Sequence, residues 1–243
     1  MTRDEARSKI IFALDTDDFD AAKKWVSLLG GHVGMFKVGK QLFTAFGPAV
    51  VRMITDSGGD VFLDLKYHDI PNTVASASVE AARLGVSLFN VHALGGYEMM
   101  SRTVERLHKE FTGTDRPKVL AVTILTSSTG ETLREVGIGL PVAEMVVKLA
   151  NLARKAGIDG VVASPQEVPL IRENCGSDFL IVTPGVRPAF ASSDDQKRIM
   201  TPAEAVNAGS DYLVIGRPIS AAPEPLAAIE AIIDEITQAK PIK

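Results

Sequence analysis

The sequence predicts a single-domain (β/α)₈ barrel, an α/β fold in which eight parallel strands alternate with helices. Short runs rich in Val, Ile, Leu and Phe recur along the 243 residues, and each precedes a segment rich in Ala and charged residues. Continuous apolar runs that alternate with helices are typical of a parallel sheet covered on both faces, and eight such units can close into a barrel. The expected organisation is one domain over residues 1–243.

The predicted strands are the apolar runs themselves, and the predicted helices are the segments between them, whose ends are often marked by glycine. In chain order, the strands are Ile10–Asp15, Met35–Gly39, Asp60–Lys66, Leu88–His92, Lys118–Leu125, Gly160–Ser164, Phe179–Gly185 and Tyr212–Ile219. The helices are Asp20–Leu29, Val74–Leu84, Gly95–Glu110, Val142–Ala156, Gln166–Glu173, Thr201–Ala208 and Pro225–Gln238.

An open, doubly wound sheet is the structural alternative. Its dinucleotide-binding form requires a glycine-rich turn directly after a strand. The nearest candidate, Gly137-Ile-Gly139, lacks the third glycine and follows no predicted strand. The regular spacing of the units therefore favours the closed barrel.

Composition excludes several classes of function. The net charge of −4, from 26 basic and 30 acidic residues, argues against general attraction to nucleic acid or to a membrane surface. The first apolar run, Ile10 to Leu14, is too short for a signal-peptide core, and no run has the length of a membrane span. Cys175 is the single cysteine, which excludes an intrachain disulfide. We expect a cytoplasmic protein.

Charged residues mark the ends of several predicted strands, where barrel enzymes place their chemistry. Asp64 and Lys66 are two residues apart, so both should point to one face of the third strand. Asp69 follows three residues later, and Lys37 lies near the end of the second strand. Together they would form a coupled array of two carboxylates and two ammonium groups, although a purely structural salt-bridge network is the alternative. Asp15 closes the first strand.

A phosphate site is predicted on the other side of the mouth, after strands seven and eight. Gly216 would let backbone N–H groups approach an anion, and Arg217 could bind its oxygens. Strand seven ends in a Thr-Pro-Gly-Val-Arg-Pro run that carries Arg187, and a polar stretch over residues 191–198 resembles a mobile lid. Arg187, Gln196 and Lys197 could reach the phosphate. The alternative is that Gly-Arg-Pro is only a strand-to-helix turn.

In their order and strand-end positions, these motifs resemble the bacterial orotidine 5′-phosphate decarboxylase family over essentially the whole chain. The matching segments are Ala13-Leu14-Asp15, Phe36-Lys37-Val38-Gly39, residues 64–73, Leu125-Thr126-Ser127, Thr183-Pro-Gly-Val-Arg187-Pro188, Asp195-Gln196-Lys-Arg198 and Ile215-Gly216-Arg217-Pro218. The resemblance implies a homodimeric enzyme that needs no cofactor and forms UMP in pyrimidine biosynthesis.

The same resemblance implies roles for individual residues, with Lys66 as the proton donor. The catalytic array would be Lys37, Asp64, Lys66 and Asp69, the last from the partner subunit. Asp15 and Lys37 would hold ribose hydroxyls, and Thr126 and Ser127 the pyrimidine ring. Ile70 and Thr73 would contact substrate, Thr73 across the dimer interface. The phosphate region would comprise Arg187, Gln196, Gly216 and Arg217. The tyrosine that some eukaryotic members use in the phosphate lid has no counterpart near Gln196.

Two other functions remain open. A metal-dependent sugar-phosphate decarboxylase or synthase of the same superfamily shares the Asp-x-Lys-x-x-Asp pattern, but it has a magnesium-binding carboxylate near the position of Lys37, where a cation would repel the metal. A non-catalytic phosphate-binding barrel would keep Gly216 and Arg217 without needing Lys66. His92 could join Asp64 in a metal site, although a lone strand-end histidine is more often a hydrogen-bonded core residue.

Overall fold

The computed structural model describes residues 1–111, 113, 116–188 and 200–239. Eight parallel strands close into a barrel in sequence order, so the predicted fold class is confirmed. The strands are β1 (Ile10–Ala13), β2 (Met35–Gly39), β3 (Val61–Tyr67), β4 (Leu88–His92), β5 (Lys118–Val122), β6 (Gly160–Val162), β7 (Leu180–Pro184) and β8 (Tyr212–Ile215). Pairing of Phe12 with Ile215 closes the sheet between β1 and β8.

The barrel interior is a packed core and not a pore. Alternate side chains of the strands point inward, and a buried cluster fills the centre. It comprises Ile11, Met35, Phe62, Leu88, Leu120 and Val182. The intervening side chains, such as Phe12, Leu63 and Phe89, point outward into a second and larger core beneath the helices. Both faces of the sheet are therefore buried, which explains the continuous apolar runs.

The helices form the outer layer of the fold. They are α1 (Arg3–Ser8), α2 (Phe19–Leu29), α3 (Lys40–Phe46), α4 (Pro48–Thr55), α5 (Pro71–Arg83), α6 (Gly96–Glu110), α7 (Gly130–Glu135), α8 (Val142–Lys155), α9 (Val168–Cys175), α10 (Pro202–Ala208), α11 (Arg217–Ser220) and α12 (Pro225–Thr237). Short 3₁₀ turns over Ala93–Gly95 and Pro165–Glu167 precede α6 and α9. None of the helices in the described residues is long and apolar enough to cross a membrane.

The structure corrects several predicted boundaries. The eighth strand ends at Ile215 and not at Ile219, because Pro218 cannot donate to a strand ladder and instead suits the first turn of α11. The fifth strand stops at Val122, three residues before the predicted end. The first stops at Ala13, so Asp15 lies in the loop beyond it.

Helices α1, α3, α4, α7 and α11 were not predicted. Gly47 separates α3 from α4 with a φ of 57°, a left-handed conformation that favours glycine, and Pro48 then starts the second helix. Two short helices therefore connect β2 with β3, where the sequence pattern showed no single long one.

The end of the barrel opposite the carboxyl ends of the strands is held by a half-buried ion pair. Arg116 donates to both carboxylate oxygens of Asp159 at 2.8 and 2.7 Å, and the Val119 N–H donates to the same carboxylate at 2.8 Å. Burial favours the neutral acid, but these hydrogen bonds outweigh it and the pKa of Asp159 lies below its ordinary value. The planar guanidinium of Arg116 therefore holds the start of β5 next to the start of β6.

We expect Asp159→Ala to lower the free energy of unfolding by roughly 2–4 kcal/mol, because it removes the carboxylate that pairs with the half-buried Arg116 guanidinium. The loss should be measured by urea denaturation at pH 7, with Asp4→Ala as a control that removes a largely exposed carboxylate paired with Arg7.

The same difference should depend on pH. Because the folded-state pKa is depressed, the contribution of Asp159 is present above about pH 4, near the unfolded pKa, and is lost as the pH falls through the folded-state pKa. Equal stability of Asp159→Ala and the wild-type protein at pH 7 would contradict the assignment.

Candidate active site

A charged cavity opens at the carboxyl ends of the strands. Its volume is about 220 Å³. Three of its charged groups, Lys37, Asp64 and Lys66, come from β2 and β3. The remaining lining residues are Phe62, Val122, Ile124, Leu125, Thr126, Ser127, Val162, Ala163, Pro184 and Val214. The cavity therefore joins an ionic side to an apolar side, a combination that suits a ring-containing anion.

The three charges are in contact. The Lys66 Nζ is 2.5 Å from Asp64 Oδ1, and the Lys37 Nζ is 3.8 Å from Asp64 Oδ2. Lys37 also donates to Asp15 Oδ1 at 3.0 Å, which places Asp15 at the edge of the same array. Lys37 is buried, and only 9% of its surface is exposed. Its ammonium therefore occupies the space between two carboxylates.

Asp64 stays ionised in this environment. Burial is the largest influence and by itself would raise the pKa, but the charges of Lys37 and Lys66 and the hydrogen bonds from Lys66 and Asn90 lower the pKa below its ordinary value. The array therefore presents two cations around the half-buried Asp64 carboxylate, and it can stabilise a second negative charge placed beside the lysines.

The backbone of β3 departs from a regular strand at this point. Leu63 pairs with Phe89, but the next pairing joins Tyr67 to Val91, so three residues of β3 lie opposite one residue of β4. Lys66 has a φ of 55° and is the one non-glycine residue with a positive φ in the described part of the chain. Asp64 and Lys66 both lie at the barrel mouth, as predicted. Their contact results from the bulge in β3 and not from the two-residue period of a regular strand.

Asn90 belongs to this cluster and was not singled out from the sequence. Its side chain is completely buried. The amide donates to Asp64 Oδ1 at 2.7 Å and accepts a hydrogen bond from the Lys66 backbone N–H at 2.7 Å. A signal was present, because Asn90 is a polar residue inside the apolar run of the fourth strand.

His92 lies two residues further along β4 and stacks on His68, with ring centroids 5.4 Å apart. Its Nδ1 accepts from the Leu94 N–H at 3.4 Å. Burial first, and then the charges of His68, Lys66 and Lys40, lower the pKa of His92 to about 4. Across the residues that the structure describes, no three His, Cys, Asp or Glu side chains are grouped as metal ligands would be.

Asp69, Ile70 and Thr73 lie outside the cavity of their own chain. Asp69 is exposed, and its carboxylate accepts from the Ile70 N–H at 2.6 Å. Within the described residues it forms no ion pair with Lys37 or Lys66. Ile70 is 67% exposed at the start of α5, and Thr73 is exposed in the first turn of that helix. The single chain thus contains three of the four residues of the predicted array in contact.

The predicted phosphate residues lie on the β7 and β8 side. Gly216 precedes α11, and a methyl group added to its Cα would be 3.7 Å from Asp15 Oδ2, so this turn adjoins the charged array. Arg217 is exposed at the first position of α11. Arg187 is buried, and its backbone N–H donates to Met200 O at 3.0 Å. Gln196 and Lys197 lie outside the described residues.

Thr126 and Ser127 follow β5 in an exposed turn and line the cavity. Lys37, Lys66 and apolar residues such as Val162 and Pro184 line the same cavity. A planar ring bound between them would have polar groups at one edge and apolar contacts on its face.

Comparison with known proteins gives consistent matches. Residues 8–232 match the model of the Orotidine 5′-phosphate decarboxylase / HUMPS family. A relative from Geotalea daltonii, named orotidine 5′-phosphate decarboxylase, is 77% identical over 97% of this chain and 99% of its own length. A relative of the same name from Geobacter sulfurreducens is 75% identical over 97% and 99%. The crystal structure of orotidine 5′-phosphate decarboxylase from Lactobacillus acidophilus is 44% identical, with a TM-score of 0.83 and coverage of 93% of this chain and 98% of that one.

Proposed function

The chain belongs to the orotidine 5′-phosphate decarboxylase / HUMPS family, and we propose that the charged mouth of its barrel is the catalytic site. The enzyme decarboxylates orotidine 5′-phosphate to UMP and CO₂ in pyrimidine biosynthesis. The observation that carries the assignment of the site is the contact of Lys66 and Lys37 with the half-buried Asp64 inside the cavity. A cytoplasmic location is also proposed, in keeping with a chain whose single cysteine forms no intrachain disulfide.

Electrostatic stabilisation is central to the proposed mechanism. Breaking the bond to CO₂ leaves its electron pair on a ring carbon that has no conjugated electron sink. A preorganised ammonium beside that carbon can stabilise the developing charge, because it does not have to reorient when the charge appears. Lys66 then transfers a proton from Nζ to the carbon, which yields UMP, and the neutral amine regains a proton from solvent.

Asp64 has two proposed roles. It holds the Lys66 ammonium through the 2.5 Å contact, and it is a fixed negative charge near the position of the departing carboxylate. Repulsion between these anions is relieved when CO₂ leaves as a neutral molecule. Lys37 balances the charge of Asp64 and, with Asp15, is placed to hold ribose hydroxyls.

Substrate recognition is proposed to extend from the ring to the phosphate. Thr126 and Ser127 would contact the pyrimidine edge. Gly216 and Arg217 would bind the phosphate, together with Arg187 and Gln196. The closeness of Gly216 to Asp15 supports this arrangement, because the ribose of a nucleotide lies between its base and its phosphate. Phosphate binding away from the reacting carbon can help to assemble the site.

The proposed homodimer explains the position of the remaining predicted residues. Asp69, Ile70 and Thr73 are exposed near the start of α5 and are not among the residues that line their own cavity. Leu94 and Tyr97, 43% and 45% exposed, add apolar surface at the start of the neighbouring helix α6. A second copy packed on this face would cover that surface and could bring Asp69 to the other copy's Lys66.

Lys66→Ala should reduce kcat by more than about 1000-fold, because this side chain both stabilises the anion and supplies the proton. The loss of the pyrimidine absorbance of orotidine 5′-phosphate measures the rate. Lys118→Ala, which removes an ammonium from the opposite end of the barrel, should stay near the wild-type rate. A Lys66→Ala rate within tenfold of wild type would remove Lys66 from the mechanism.

Chelator treatment should leave the activity intact. The Lys37 ammonium lies between Asp15 and Asp64, where a divalent metal bound by those carboxylates would be repelled. The same assay after incubation with excess EDTA and desalting tests this expectation. Activity that disappears and returns with magnesium would instead indicate the metal-dependent relatives of this superfamily.

A mixing experiment tests whether Asp69 acts across the dimer. Lys66→Ala and Asp69→Asn should each give nearly inactive homodimers. After the two are unfolded together, refolded and paired at random, about half of the dimers are mixed and each mixed dimer has one intact site, so about a quarter of wild-type activity returns. Subunits tagged for separation establish that mixed dimers form. If these dimers are inactive, Asp69 does not act in trans.

A further inference from the structure

We propose that Asn90 is a positioning residue, which holds Asp64 and Lys66 in their reactive arrangement through its side-chain amide. The proposal rests on the proposed function, since it concerns the same site. Its basis is the geometry of the bulge in β3, where the one residue of β4 that lies opposite the three residues from Asp64 to Lys66 is Asn90.

The side-chain amide of Asn90 replaces a backbone hydrogen bond that the bulge removes from the pairing of β3 with β4. With three residues facing one, the β4 backbone does not continue the regular pairing between Leu63 and Tyr67. The Asn90 Oδ1 accepts the Lys66 N–H at 2.7 Å, so this half-buried backbone donor is satisfied by a side chain. Lys66 also has a φ of 55°, a conformation that is strained for a residue with a Cβ and that persists only when its surroundings hold it.

The Nδ2 group of the Asn90 amide fixes the orientation of the Asp64 carboxylate. Asn90 Nδ2 and Lys66 Nζ both donate to Oδ1, at 2.7 and 2.5 Å, while Oδ2 faces Lys37 at 3.8 Å. One completely buried side chain therefore links the carboxylate to the backbone of the lysine that it pairs with. Without it, both the backbone of Lys66 and the rotamer of Asp64 lose a fixed partner, and the ammonium is no longer held at one place.

The first test separates positioning from substrate binding. Asn90→Ala should lower kcat by about 100-fold, the cost of a small misplacement of a reacting group, with KM within about threefold because the phosphate and ring contacts are unchanged. Thr103→Val is the matched control, since it removes another buried hydrogen-bonding side chain, from α6. The control should lower the Tm but leave kcat near wild type. A folded Asn90→Ala variant with kcat within threefold of wild type would overturn the proposal.

The second test uses pH to restore the lost contact. In Asn90→Asp, the new carboxyl lies beside Asp64, whose negative charge raises the pKa of the introduced group. The other titratable groups around this position are Lys66, Lys37, Asp15, His92 and His68. Below that pKa the neutral acid can donate to Asp64 and accept from the Lys66 N–H, as the amide does.

The kcat of Asn90→Asp relative to wild type should therefore rise as the pH is lowered from 8 to 5.5, whereas the ratio for Asn90→Ala should stay constant. Circular dichroism at each pH verifies that both variants are folded. A ratio for Asn90→Asp that does not change with pH would overturn the positioning role. Retained activity in Lys66→Ala would contradict the proposed function, whereas a ratio for Asn90→Asp that is independent of pH would contradict only the role of Asn90. The two failures are therefore distinguishable.

Discussion

The arrangement of the barrel mouth depends on one half-buried carboxylate, Asp64, that stays ionised. Asp64 is held among groups that compensate its burial: the ammonium groups of Lys37 and Lys66 and the amide of Asn90. Each of these partners is positioned by a different part of the sheet, on β2, β3 or β4. Removing any one changes the balance for the others, because charges this close titrate as a group. The charge state of the cavity therefore depends on the geometry of three adjacent strands.

The barrel provides this geometry because apolar side chains packed beneath the site fix the register of its strands. Met35, Phe62 and Leu88 fill the interior beneath the polar residues of β2, β3 and β4. Two residues further along each strand, the same inward face carries Lys37, Asp64 and Asn90. A slip of one residue in any of these strands would move a polar group into the outer apolar core. The apolar layer therefore sets the height and direction of the polar layer.

Much of this arrangement could be predicted from residue patterns. Regular alternation of apolar runs and helices indicated the barrel, and charges at strand ends indicated Lys37, Asp64 and Lys66 as neighbours. The bulge could not be predicted, because the register shift depends on how β3 pairs with β4. The residues of β3 themselves contain no glycine or other signal that indicates an irregular backbone. The sequence pattern predicts an eighth strand that is four residues too long, because apolar Ile219 follows Pro218. The role proposed for Asp69 depends on a second subunit, and a single chain contains no contact that tests it.

Lys66 combines two opposing requirements in one residue. Its backbone adopts a left-handed conformation that glycine enters at little cost, whereas its function requires a long side chain that ends in an ammonium group. A glycine at this position would relieve the local strain and remove the chemistry. Selection for a more stable fold and selection for turnover therefore act in opposite directions here, and repeated stabilisation of the chain without an assay for activity would be expected to erode the active site at this residue first.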